Sequence, residues 1–182
     1  MSSARLDQQK ILDAALAVAD RDGVEALAVR RVARELVVTP MALYRYVDGR
    51  EGLVDALSEA MFGRLELPGT DQASWHDELR ALARSFRRLV QDHPAAVAIM
   101  ASGGEGENER RVCDAMLAAF RRAGFDDETA DRLYRQFTHF VLALVTQDER
   151  GFELGLELFL AGAEAIRAGR QGQSPLGTVP PS

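Results

Sequence analysis

The chain is 182 residues long and has one cysteine, Cys113, so no disulfide can form within it. Stability must come from packing, and a reducing compartment suits such a chain. Val112, Met116 and Leu117 surround Cys113 in sequence, which reads as a buried thiol without a redox role. The three histidines, His76, His93 and His139, show no tight metal-ligand spacing. No structural metal and no cofactor are expected. No run of 18 apolar residues occurs and no basic-then-apolar leader opens the chain. A soluble, cytoplasmic protein with no membrane partner is expected. Lysine is scarce too: Lys10 stands alone, and every other basic residue is arginine.

Enzyme signatures are also missing. There is no GxSxG, no Walker loop, no HExxH and no CxxC. The stretch Ser102 to Glu107 is rich in glycine, but its acidic flanks would repel phosphate, so it reads as a loop. Asp126 and Asp127 are paired carboxylates at a helix start, where capping accounts for them. An enzyme is therefore the weaker class of function.

What is present is a 47% hydrophobic content, enough for a sizeable core, and a formal net charge of −6. The charge is unevenly spread. Residues 1–50 hold eight basic and seven acidic side chains, whereas residues 51–182 hold 14 and 21. Between residues 28 and 50, Arg30, Arg31, Arg34, Arg45 and Arg50 face only Glu35 and Asp48. A local positive footprint on an acidic chain would fix which end docks on a polyanion.

Helical spacing runs throughout, and no alternating strand pattern is long enough to assign. The expected class is all-α. Helices are predicted over about 5–21, 29–36, 40–46, 48–62, 74–91, 94–102, 107–123, 126–149 and 152–168. Gly23 suits a left-handed helix end, Thr39 with Pro40 an N-cap and first turn, and Asp48 with Glu51 a capping box. Residues 67–70 form a break. This divides the chain into an N-terminal helical domain over 1–66, a larger helical domain over 67–169, and a disordered tail expected over 170–182.

The most informative segment is Val29 to Val47, two short amphipathic helices joined by a tight turn. Leu27, Val32, Leu36, Val38 and Leu43 are spaced to form a small core, with Ala33 facing the turn. The exposed remainder can serve DNA. Arg30 can reach a phosphate. Thr39, Pro40, Met41 and Ala42 lie at the tip of the second helix, where Met41 and Ala42 offer apolar contact such as to a thymine methyl. Tyr44 and Tyr46 can donate hydroxyls to phosphates, and Arg45 can reach a phosphate or a guanine edge.

Five segments agree in order and spacing with a known family. They are Lys10 to Ala15, Gly23, Arg30 to Leu36, Ala42 to Val47 and Leu53 to Leu57. Together they resemble the N-terminal domain of a TetR-type repressor over roughly residues 5–62. Ser74-Trp75 through His93-Pro94 and Glu149 through Gly162 are similar to the tetracycline-repressor branch. The resemblance implies a homodimer on a palindromic double-stranded DNA operator, released by a small-molecule effector, with Arg50 contacting a phosphate. Two positions depart from the pattern. Ala28 stands where a capping Thr is usual, and Val37 stands where Gly usually makes the turn. A β-branched residue is poorly suited to positive φ, so strain at Val37 is expected.

The effector pocket is expected among Phe86, His93, Met100, Met116, Phe120, Gln136, Phe137, His139 and Phe140, apolar walls with a few polar groups. The last helix carries two apolar stripes. Phe152, Leu156, Phe159, Ala163 and Ile166 form one; Leu154, Leu158, Ala161 and Ala165 form the other. A helix apolar on two faces must bury both. Val141, Val145, Leu154, Leu158, Ala161 and Ala165 are therefore expected in a four-helix dimer contact, with Gly155 and Gly162 permitting close approach. The alternative function is a ligand-binding helical dimer with weakened DNA binding, hinted at by Ala28 and Val37.

Overall fold

A computed structural model of the chain describes residues 6–67 and 74–171. The domain break at Pro68 to Thr70 and the tail over 172–182 lie outside the described residues. Among those described, the structure is all-helical: α1 (Gln8–Asp22), a 3-10 turn (Val24–Ala26), α2 (Val29–Glu35), α3 (Pro40–Leu43), α4 (Gly49–Gly63), α5 (Trp75–Asp92), α6 (Ala96–Ser102), α7 (Glu107–Arg122), α8 (Asp127–Leu144) and α9 (Glu149–Gln171). Helix ends differ from the expected ones, most of all at three places besides the start of α1 at Gln8 and the end of α9 at Gln171. The second helix of the pair stops at Leu43, and Tyr44 to Tyr46 form a turn. α8 ends at Leu144 rather than near Glu149, and α9 begins at Glu149 rather than Phe152. Apolar periodicity marks helical faces and is weakest at ends.

Two compact units emerge. One comprises Met1–Pro68 with Ala81–Ala115, the other Gly69–Arg80 with Met116–Ser182. Residues 81–115, which follow the sequence break, thus group with the N-terminal helices.

In the first unit, α1 begins on Asp7, whose carboxylate accepts the Lys10 N–H at 2.9 Å and is held below the usual carboxylate range by that bond. α1 buries Ile11, Ala15, Val18 and Ala19. Gly23 ends it at φ 84, ψ 159, an extended mirror-image conformation open essentially to glycine alone, rather than the left-handed helical one. Leu27, Val32 and Leu43 complete the small core at 1% exposure or less, while Leu36 and Val38 are only partly buried. Neither Thr39 nor Asp48 makes the side-chain cap expected of it. Ala28 offers none either, and α2 starts without one.

α4 is the central element of this unit. It packs against α1 and α2 and also against α6, and Leu53, Leu57 and Met61 are fully buried. The glycine-rich loop lies against it. A Cβ on Gly103 would collide with the Ser58 side chain. The Gly104 N–H donates to Asp55 at 2.7 Å. The Asn108 N–H donates to both Glu59 carboxylate oxygens at 2.9 and 3.1 Å, and its amide Nδ2 donates to the Glu59 carbonyl at 3.2 Å. α7 therefore begins on a carboxylate supplied by α4.

The second unit is organised by aromatic contacts and by α8 against α9. Phe120 lies 6.0 Å from Trp75 and 6.1 Å from Phe125, and Trp75 meets Phe125 edge-on. On α9, Phe152, Leu156, Leu160 and Ala163 are buried, and Phe159 packs on Phe137 at 5.2 Å. Gly155 lets the Leu144 side chain approach its backbone, whereas Gly162 faces open space. Asp126 caps α8 by accepting the Thr129 N–H at 2.8 Å.

The α2–α3 turn carries the one non-glycine residue with positive φ among those described, Val37 at 54°. Its N–H donates to the Arg34 carbonyl at 3.1 Å, and the next N–H, of Val38, reaches back to Ala33 at 2.9 Å. This pair of bonds is the Schellman closure, in which glycine is the usual residue at that position. A β-branched side chain there costs roughly 1–2 kcal/mol. Substituting Val37→Gly keeps both bonds and should stabilise the protein by about 1 kcal/mol, raising the melting midpoint by roughly 2–4 °C. An unchanged or lower midpoint in thermal unfolding would refute strain at this turn.

Candidate nucleic-acid interface

The arginines of the first unit fall into two groups. Some are consumed internally. Arg21 donates to both Glu35 oxygens, at 3.3 and 3.2 Å, and to Asp22 at 2.9 Å, contacts that raise its pKa further. Arg31 donates to Asp22 at 2.8 Å. These bonds fasten the end of α1 to α2. Arg50, which the family resemblance assigns to a phosphate, donates to the Val24 carbonyl at 3.3 Å and lies 3.4 Å from Glu25. It braces the 3-10 turn.

Arg30, Arg34 and Arg45 are exposed and make no ion pair among the described residues. On α2, Arg30 and Arg34 are four residues apart and share one face, whereas Arg31 and Glu35 share the face that meets α1. Two like charges at that spacing repel, and an anion between them relieves the repulsion. Arg34, counted in the positive footprint of the sequence but not among its candidate DNA contacts, stands beside Arg30 here. The signal was its i+4 spacing from Arg30.

Around these cations lie apolar and aromatic side chains. Met41 is 76% exposed and Tyr44 52%. Thr39 is exposed, and Pro40 and Ala42 are half-buried. Tyr46 differs from expectation: its hydroxyl donates to the Leu6 carbonyl at 2.9 Å, so it holds the residue ahead of α1 instead of pointing freely outward. The surface therefore consists of three unpaired guanidiniums, one free tyrosine and an apolar tip. It can neutralise phosphates and contact base edges together.

The residues expected around an effector are divided between the units. Phe86, His93 and Met100 belong to the first, and Met116, Phe120, Gln136, Phe137, His139 and Phe140 to the second. His93 is already engaged. Its Nε2 lies 2.7 Å from Arg64 Nη1 and its Nδ1 2.9 Å from Asp20. A guanidinium only donates, so Nε2 accepts and Nδ1–H donates to Asp20. The other Asp20 oxygen accepts the Ala95 N–H at 3.0 Å, and the network ties α1 to the end of α4 and the start of α6. Phe120 and Phe137 are core residues, and Met116 is buried with them. Gln136 and His139 point outward on α8 beside Phe140, which still touches Phe159 at 5.6 Å.

The residues expected at a subunit contact also separate. Leu154 and Leu158 are 64% and 63% exposed, and Ala161 and Ala165 are exposed with them. Val141 and Val145 are instead buried in their own unit, because the α8 face that carries Leu133 and Phe137 turns inward. Phe140 and Leu142 are the large apolar residues that this helix leaves exposed. Ile166, assigned to the inward stripe of α9, is exposed, and Leu160, assigned to neither stripe, is buried.

A helix-turn-helix with an unpaired cationic face, followed by a larger helical region, defines a class of DNA-binding regulators. Residues 11–57 match the family described as bacterial regulatory proteins, tetR family, and residues 67–151 match the tetracyclin repressor-like C-terminal domain. An HTH-type transcriptional regulator of Saccharopolyspora erythraea is 30% identical over 178 residues, covering 93% of this chain and 75% of that protein. The chain belongs to the tetR family. Two solved structures are similar in sequence and fold. The Streptomyces coelicolor TetR family protein ActR, in complex with (S)-DNPA, is 25% identical, with 90% of this chain and all of that one covered and a TM-score of 0.74. BioQ with its double-stranded DNA operator is 26% identical, with 88% and 99% covered and a TM-score of 0.75.

Proton linkage is visible at His76 in the second unit. Its ring stacks on Trp75 at 3.7 Å. Burial pushes its pKa below the ordinary imidazole value, while Glu164, 3.7 Å from Nε2, pulls the other way. The unfolded chain then takes up a proton that the native state resists, so stability falls as pH drops through the ordinary imidazole range. Thermal midpoints followed from about pH 7.5 to about pH 5 should decline less steeply in His76→Gln than in the unaltered protein. Parallel declines would remove His76 as a source of acid sensitivity.

Proposed function

We propose that the protein is a ligand-responsive transcriptional repressor that binds a palindromic operator as a homodimer and leaves it when a small-molecule inducer binds. The observation that carries this reading is the sorting of the arginines. Between residues 21 and 50, salt bridges use Arg21, Arg31 and Arg50, and leave Arg30, Arg34 and Arg45 for a polyanion. Arg30, Arg34, Thr39, Met41, Ala42, Tyr44 and Arg45 form the DNA contact, with Pro40 setting the first turn of α3. Arg50 and Tyr46 act by positioning. In functional terms the DNA-binding part is residues 1–66, and the region after it recognises the inducer and the second subunit. The family match and the absence of the common catalytic motifs favour a regulator over an enzyme. Among the described residues no helix is long and apolar enough to cross a membrane, which fits a cytoplasmic protein working on DNA.

The second subunit is expected on the outer face of α9. Leu154 and Leu158 stand one turn apart and largely exposed, and on α8 Phe140, which packs on Phe159, is exposed beside them. A two-helix face of this kind, repeated about a twofold axis, gives a four-helix contact. The half-sites of the operator then lie one or more helical turns apart.

Selection of randomised duplex DNA at a fixed salt concentration tests the reading, because phosphate-driven affinity depends on salt. An enriched palindrome is expected; binding without an enriched sequence would overturn the proposal. On the selected operator, Arg45→Ala should weaken binding roughly tenfold to a hundredfold, with circular dichroism and oligomeric state unchanged. Retained affinity and sequence preference would remove Arg45 from the interface. Replacing Leu154 and Leu158 together by Glu should give a monomer in analytical ultracentrifugation and cost operator affinity. A persistent dimer would place the subunit contact elsewhere.

A further inference from the structure

Val37 has a conformation that its side chain disfavours and an environment that returns nothing for it. The residue sits at φ 54, and the isopropyl group is 91% exposed. The two backbone bonds of the turn need no side chain. An outlier of this kind, at a surface assigned to a partner, points to a use outside the chain.

We propose that Val37 is a specificity-determining residue that, together with Met41, forms an apolar edge reading thymine methyl groups in the major groove. The proposal rests on the DNA-binding reading above and narrows what that surface recognises. Val37 lies in the turn that joins α2 to α3, and Met41 lies in the first turn of α3. Both are more exposed than any other large hydrophobic residue among those described. Unpaired Arg34 precedes Val37 by three residues, and unpaired Arg45 follows Met41 by four. An apolar protein surface docking here would have to strip water from both guanidiniums without replacing it. A DNA duplex offers anionic phosphates to the cations. Of the four bases, thymine alone presents a methyl group in the major groove. The combination of bare cations and bare apolar tips is thus complementary to thymine-bearing steps. Val37 adds a contact that a glycine in this turn could not make.

The test uses the selected operator and the full chain. Each thymine is replaced in turn by deoxyuridine, which removes only the methyl group, and affinity is measured by fluorescence anisotropy at fixed salt. The unaltered protein should lose roughly fourfold at one or more symmetry-related positions, the size expected for one buried methyl. Val37→Gly should bind the thymine and uracil forms equally at one such pair of positions while keeping its fold and its affinity for non-specific DNA. Met41→Ala should lose discrimination at a different or overlapping pair. If the unaltered protein ignores every thymine-to-uracil change, or if Val37→Gly keeps all the original ratios on a tightly bound operator, the inference fails and the repressor reading stands. If no sequence is selected at all, both fail.

Discussion

The N-terminal unit depends on the burial of α4 from two directions. Leu53, Leu57 and Met61 are fully enclosed, and α1 and α2 contact the same helix that α6 contacts. The helix-turn-helix is too small to hold itself. α2 has seven residues and α3 four, far below the length at which isolated helices persist in water. Their geometry is inherited from the helices behind them. Ser58 at 1% exposure, meeting the bare backbone of Gly103, shows how close that packing is.

Polar bonds then decide direction. Asp20 reaches His93 and the Ala95 N–H, and Arg64 completes the relay from the far end of α4. Asp55 and Glu59 accept N–H groups from the glycine-rich loop and the start of α7. Most of these contacts are partly exposed, so each adds little stability on its own. Their effect is to fix registration: the helix that supports the reading head also supplies the caps for the segment that follows α6.

Much of this was legible in the sequence because it is local. Helical spacing gave the elements, Asp126 and Ser74 gave two real starts, and a valine in place of a turn glycine announced the positive φ at Val37. The failures have one physical origin. Whether an exposed-looking polar group is free depends on partners distant in sequence. Tyr46 finds Leu6 across 40 residues, Arg50 finds Val24 across 26, and His93 finds Asp20 across 73. None of these pairings leaves a periodic trace. The apolar residues of α8 and α9 pose a related problem. When a helix is apolar on most sides, spacing alone cannot say which stripe turns inward, and Val141, Val145, Leu160 and Ile166 were sorted by packing rather than pattern.

The near-absence of lysine acquires meaning once the free cations are located. A guanidinium is a rigid planar fork of five donors, whereas an ammonium is a point charge, so Arg30, Arg34 and Arg45 offer charge with direction. Their grip on a phosphate depends on orientation as well as distance. A basic set that is arginine except for Lys10 therefore makes binding to a polyanion sensitive to the tilt of the surface that carries it.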